Sequence, residues 1–203
     1  MKNSSIRLFA LALVAVSASY ATAGSATDKK PRKDDSGQIR TEPAELGRRF
    51  LAMIESVHSF DELSADSVQR LMDVPFTTGG SRTSGFYVLK SPNEDREYIL
   101  TYNVDEKFPR YSNVKLEVVE SGTASEATPH PCDLALKDYD ASLKRLGFKP
   151  EPTSYNEFAW ALAFYYSRDD IYAQVIPQNK ALKAPESADQ SCVEAISIHD
   201  AKK

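Results

Sequence analysis

The sequence predicts an α+β fold, an antiparallel β-sheet with helices packed on one face. Apolar residues recur at helical spacing over 43–59, 65–72 and 133–147. Six other runs are strand-like, most with apolar residues at period two. Along the chain these fall in the order two helices, three strands, a small-residue linker, one helix, three strands. That order is compatible with two related α-βββ halves, about 42–120 and 132–200. The similarity is one of pattern, not of residues.

Met1 to Ala23 has the three parts of a secretory signal: Lys2 and Arg7, an apolar run from Leu8 to Val16, and the small-x-small site Ala21-Thr22-Ala23. The apolar run covers only about half of the roughly twenty residues a bilayer span needs. Cleavage near Ala23 and a periplasmic location are therefore expected, and no Cys follows the run to take a lipid anchor. Residues 24–41 carry Lys29, Lys30, Arg32, Lys33 and Arg40 against Asp28, Asp34 and Asp35, with no apolar periodicity. Such a segment has nothing to bury against its ordering entropy and reads as a disordered, charged tether. A spacer is the simpler role; an arm touching an anionic surface is the other. Residues 42–203 are then one domain, large enough for a real core.

Within that domain Leu46, Phe50, Ile54 and Val57 share one face of a helix expected from Pro43 to Ser59. Ser64 is placed to cap a short helix over Ala65–Met72, with Asp66 in its first turn and Pro75 beyond its end. "SGFYVLKS", "REYILTYNV" and "NVKLEVVES" follow as strands of a meander; in the last, Val114, Leu116 and Val118 lie on one side and Lys115 and Glu117 on the other. After the linker 121–131, Asp133 is expected to cap a helix whose apolar face is Leu136, Tyr139, Leu143 and Leu146 and whose terminator is Gly147. "NEFAWALAFYYS", "DIYAQVIPQ" and "SCVEAISIHD" complete the pattern, the first two joined by a tight "SRDD" turn.

The chain has two cysteines, Cys132 and Cys192. In an oxidising compartment an isolated pair most often forms a disulfide. Closing a loop of about sixty residues stabilises a fold by about 4 kcal/mol in the chain-entropy treatment. Cys132 opens the second-half helix and Cys192 the last strand, so the bond is expected to pin that helix to a sheet edge. Residues 41–203 hold 18 basic and 26 acidic side chains, a net charge of −8 with neutral histidine. This balance argues against nucleic acid, whose phosphates need a basic face, and suits a basic protein partner.

No motif implies a cofactor or a metal. His58, His130 and His199 lack metal-ligand spacing, and no Gly-x-Ser-x-Gly elbow accompanies the many serines. The acid pairs Asp105-Glu106, Asp138/Asp140 and Asp169-Asp170 suit turns and exposed faces better than the paired carboxylates of a glycan-cleaving cleft. The Gly-rich "TTGGSRTSG" precedes a strand instead of opening a helix, so it makes no phosphate cradle and serves better as a binding edge. Tyrosines cluster in the strands and offer contact area at low entropy cost. Tyr102, Tyr165 and Tyr172, with Asp169, Asp170 and Arg82 in adjoining loops, are the candidate binding residues.

"FDELSADSVQRLMDVPF…YVL…YILTY", from Phe60 to Asn103 and a little upstream, resembles the opening of small helix–helix–antiparallel-sheet proteins of the bacterial envelope. These are the small outer-membrane assembly lipoprotein family and the tandem-repeat β-lactamase inhibitor protein family. "DVP" stands where the lipoprotein type carries Gly-x-Pro, and the lipidated Cys is missing. The resemblance implies a sheet that binds another protein and brings no catalytic residues. Periplasmic immunity proteins are of similar size, with an export signal and one disulfide. The expectation is thus a non-catalytic binding module, an inhibitor or immunity protein that fills a partner's cleft. A structural or assembly factor of the cell envelope and a small cell-wall hydrolase are the alternatives.

Overall fold

A computed structural model describes residues 41–91, 96–105, 107–120, 132–178 and 191–201. The expected leader, nearly all of the tether, the linker and the long loop before the last strand lie outside the described residues.

Helix α1 spans Pro43–Ser56. Pro43 suits its first turn because the N–H it lacks would have no helical partner. Leu46, Phe50, Met53 and Ile54 are fully buried. The helix stops three residues short of Ser59. Val57 is already extended, and the next backbone N–H groups find other acceptors. Ser59 caps a 3-10 turn over Phe60–Glu62. The Asp170 carboxylate takes the Phe60 N–H at 3.0 Å and the Ser59 hydroxyl at 2.6 Å. Helix α2, Ala65–Met72, has a reciprocal cap: Ser67 N–H donates to Ser64 Oγ at 3.1 Å and Ser64 N–H to Ser67 Oγ at 2.8 Å. It ends on Asp73 at φ 48°, ahead of Pro75. Arg49 of α1 donates to the Met72 and Asp73 carbonyls, which closes α2 against α1.

Among the described residues eight strands form one antiparallel sheet: β1 Ser84–Lys90, β2 Arg96–Asn103, β3 Asn113–Glu120, β4 Lys149–Pro150, β5 Ser154–Tyr155, β6 Ala161–Arg168, β7 Ile171–Pro177 and β8 Val193–Asp200. The order is β1-β2-β3-β8-β7-β6-β4, with β5 also on β6. Each meander thus contributes its last strand to the centre, where β3 and β8 run antiparallel with Lys115 opposite Ser197.

Helix α3, Leu136–Arg145, opens the second half. Asp133 does not cap it; its carboxylate accepts the Tyr98 hydroxyl of β2 instead. The Leu136 N–H goes to the Ser191 carbonyl at 2.9 Å. Gly147, at φ 86°, ends the helix as expected. The disulfide joins Cys132 to Cys192 across 60 residues, with Cα atoms 5.3 Å apart. An antiparallel bridge between Ala135 and Cys192 accompanies it. Cys192 leads into β8, so the bond ties the approach to α3 to a central strand and not to a sheet edge.

The largest departure is at 156–160, expected to be the first part of a strand. Asn156 Oδ1 accepts the N–H groups of Phe158 and Trp160, both at 3.0 Å, and Ala159 takes φ 58°. The chain turns there, which creates the short strand β5 and delays β6 to Ala161. The strands β4 and β5, unforeseen, cover much of the outer edge of β6.

One face of the sheet joins the helices in a single core. Tyr98, Leu100, Val114, Leu116, Ile196, Ile198, Ala173, Val175, Phe164 and Tyr166 lie on it, all at 2% exposure or less. Two glycines permit close approach. A Cβ at Gly47 would meet the Tyr139 hydroxyl at 2.3 Å, and one at Gly85 would meet the Tyr102 ring at 2.7 Å.

Arg168, at the end of β6, donates to the carbonyls of Ile54 in the last turn of α1, of Val57 just after it and of Leu146 after α3, and lies 4.6 Å over the Phe148 ring. Arg168→Ala is expected to cost about 3 kcal/mol, because part-buried carbonyls lose a charged donor. Lysine there should recover less than half of the loss, since one ammonium cannot span the same acceptors. Urea unfolding of the three proteins measures both. The Tyr139 hydroxyl is buried with no hydrogen-bond partner among the described residues. Tyr139→Phe is therefore expected to raise stability by about 1 kcal/mol, while Gly47→Ala lowers it by about 2 kcal/mol or more. Thermal melts of the two variants, moving in opposite directions, check the pair.

Candidate functional site

Strand alternation sends Tyr165 and Ser167 of β6, Tyr172 and Gln174 of β7, and Ser197 and His199 of β8 to the face away from the helices. The register sets Tyr172 opposite both Ser167 and His199, and Gln174 opposite both Tyr165 and Ser197. Tyr165 and Tyr172 stack diagonally, ring centroids 5.6 Å apart and planes at 25°. Gln174 donates to the Tyr165 hydroxyl at 3.3 Å. Desolvation first, then Tyr165 and Glu151, raise the Tyr172 pKa above its ordinary value. The same face of the first half carries Phe86, Val88 and Val119, exposed at 46%, 37% and 39%. An ion pair of Lys115 and Glu117 at 2.5 Å lies between the two groups.

Ser197 Oγ and His199 Nε2 on this face are 2.8 Å apart. As a nucleophile the serine is poorly placed: it is 6% exposed, and the flanking ladders to β3 and β7 occupy the backbone N–H groups that an oxyanion would need. Burial lowers the His199 pKa below its ordinary value. Among the described residues no group of three or more His, Cys, Asp or Glu could hold a metal ion.

The six candidate binding residues separate. Tyr165 and Tyr172 meet on the face away from the described helices. Tyr102 does not: it is 2% exposed on the helix side, over Gly85 and edge-on to Phe76, with its hydroxyl 2.5 Å from Gln69 Nε2. Asp170 is not a free acidic loop residue but the acceptor that holds Ser59 and Phe60. Asp169, at φ 53° in the same two-residue turn, and Arg82, before β1, are exposed at the same end of the sheet. Asp140, expected to be solvated, is buried and accepts the Tyr166 hydroxyl at 2.8 Å and Lys144 at 2.9 Å.

A second exposed cluster was not expected. At the β5–β6 hairpin Tyr155, Phe158, Trp160 and Leu162 are exposed at 49%, 64%, 42% and 46%. Phe158 and Trp160 rings are 5.6 Å apart. The sequence signal for it is Asn156, a turn former inside an otherwise apolar run.

No family model matches the sequence, and no curated protein or solved structure is significantly similar to it. No helix among the described residues is long and apolar enough to cross a membrane.

Because burial holds the His199 pKa below the unfolded value, the unfolded chain takes up the proton first. Its contribution to stability is complete above about pH 6.5 and falls as pH drops through that value toward the lower folded pKa. Urea midpoints between about pH 5 and 7 should therefore decline toward acid, and His199→Gln should flatten part of the slope.

Proposed function

We propose that this chain is an exported, non-catalytic protein-binding module that works by occlusion, as an inhibitor or immunity protein of the periplasm does. The observation that carries the reading is the sheet face that no described helix covers. The three helices of the described residues lie on one side, and the other side offers the Tyr165–Tyr172 stack together with the exposed Phe86, Val88 and Val119. Apolar and aromatic side chains grouped on an exposed rigid surface favour protein association. The signal-like first 23 residues and the disulfide suit an exported protein. The charge of −8 over residues 41–203 favours a partner with a basic surface, which would also be drawn in faster. Arg82 and Asp169 would sit at the rim, where contacts tune encounter more than affinity.

The test is affinity capture with the oxidised protein as secreted, against envelope and secreted protein fractions of the producing organism and of its competitors. One protein bound at a fixed stoichiometry is expected, with affinity that falls about tenfold or more in the double variant Tyr165→Ser/Tyr172→Ser. Failure of any protein to bind at micromolar concentration would sink the reading.

A further inference from the structure

We infer that the β5–β6 hairpin is a preformed aromatic wedge that inserts into an apolar cleft, rimmed by basic residues, of a partner protein. The inference rests on the protein-binding reading but uses different residues. Single exposed hydrophobics are ordinary on a protein surface. Here Phe158, Trp160 and Leu162 are each more than two-fifths exposed within five residues, and the first two touch.

The hairpin is also fixed. Asn156 closes it four ways: its side chain accepts the N–H groups of Phe158 and Trp160, its N–H donates to the Trp160 carbonyl at 3.0 Å, and its carbonyl accepts the Ala159 N–H at 3.0 Å. Ala159 sits in the left-handed region at φ 58°, a conformation that costs an alanine about 1 kcal/mol and a glycine almost nothing. Shape is thus held at an energetic cost, and the ordering entropy of binding is met in advance. A fluid bilayer has no use for such definition; a cleft of fixed shape does. Charge points the same way. Glu157 is exposed beside Phe158, and residues 41–203 carry a net −8, which opposes an anionic lipid surface and complements a basic rim.

Trp160 is the sole tryptophan of the chain, so a fluorine-labelled tryptophan gives one resonance that reports on the wedge alone. The full chain with Phe158→benzoylphenylalanine is photo-crosslinked in the envelope fraction, and the crosslinked protein is then purified and titrated against labelled wild type. A shifted Trp160 resonance at one-to-one stoichiometry is expected, with affinity that weakens as salt rises. Trp160→Ser or Phe158→Ser should weaken binding about a hundredfold with unchanged melting temperature. Asn156→Ala, which keeps Phe158, Trp160 and Leu162 but removes the acceptor of the Phe158 and Trp160 N–H groups, should weaken it about fivefold. If a captured protein binds with the Trp160 resonance unmoved and only Tyr165→Ser/Tyr172→Ser matters, the wedge is overturned and the binding reading stands. A shift produced by phosphatidylcholine vesicles, with or without phosphatidylglycerol, overturns it in favour of a bilayer. Binding to no protein at all removes both.

Discussion

Arg168 is the side chain on which the two layers depend. A helix ends with carbonyls that have no helical partner, and these carry the negative end of the helix dipole. Helices α1 and α3 both bring such carbonyls to the end of β6, where one planar guanidinium satisfies Ile54, Val57 and Leu146 together. Two local conformations make this possible. Gly147, at φ 86°, turns the chain away at the end of α3, and Asp169, at φ 53°, folds β6 tightly into β7. The turn sets Asp170 one step beyond, where it takes the Phe60 N–H and the Ser59 hydroxyl. A cation thus grips the chain across the point where α1 ends, and an anion two residues further along grips it just beyond. This explains why the helix stops at Ser56 although its apolar spacing continues to Val57.

The halves are joined by a different set of contacts. Strands β3 and β8 share a ladder of five residue pairs, so neither meander has a free inner edge. At the other end of that seam the Tyr98–Asp133 hydrogen bond holds the start of the second half against the first, and the disulfide and the Ala135–Cys192 bridge tie that start to β8 within the second half. Burial and the negative neighbour raise the Tyr98 pKa, so the phenol stays a donor and Asp133 the acceptor. With the sheet continuous and the described helices all on one side, none of them covers the opposite face.

Period and turn chemistry made most of this fold legible. The apolar faces of α1 and α3, the Ser64 cap and the strands other than β4 and β5 follow from patterns within a dozen residues. The sides of the sheet did not. Alternation says that Tyr102 and Asn103 face opposite ways, but not which of them meets the helices; that is settled by Gly85 across the ladder, whose missing Cβ makes room for the Tyr102 ring. Asp133 and Asp170 were misread for a related reason. Both have the residue type of a cap or a solvated turn, and both serve partners far away in sequence, at Tyr98 and at Ser59. The hairpin at 156–160 was hidden because a large–small alternation looks like a strand whether its large residues are buried or bare. Only the side-chain acceptor of Asn156 decides it.

That hairpin and the Arg168 clamp are the two ends of one strand. β6 is eight residues long, about 25 Å at the rise of a β-strand. Arg168 fixes its far end to both helices, β7 runs along one edge, and β4 and β5 cover parts of the other. Phe158, Trp160 and Leu162 are therefore carried on an element restrained along its length, so force or fit at the tip is met by the whole sheet and not by a loose loop. Loops that bind tightly gain from such a mount, because little further order is needed when the partner arrives. A chain that keeps an alanine in a left-handed turn and three large apolar groups in water accepts both costs at one place. The rest of the fold gives that place a rigid base.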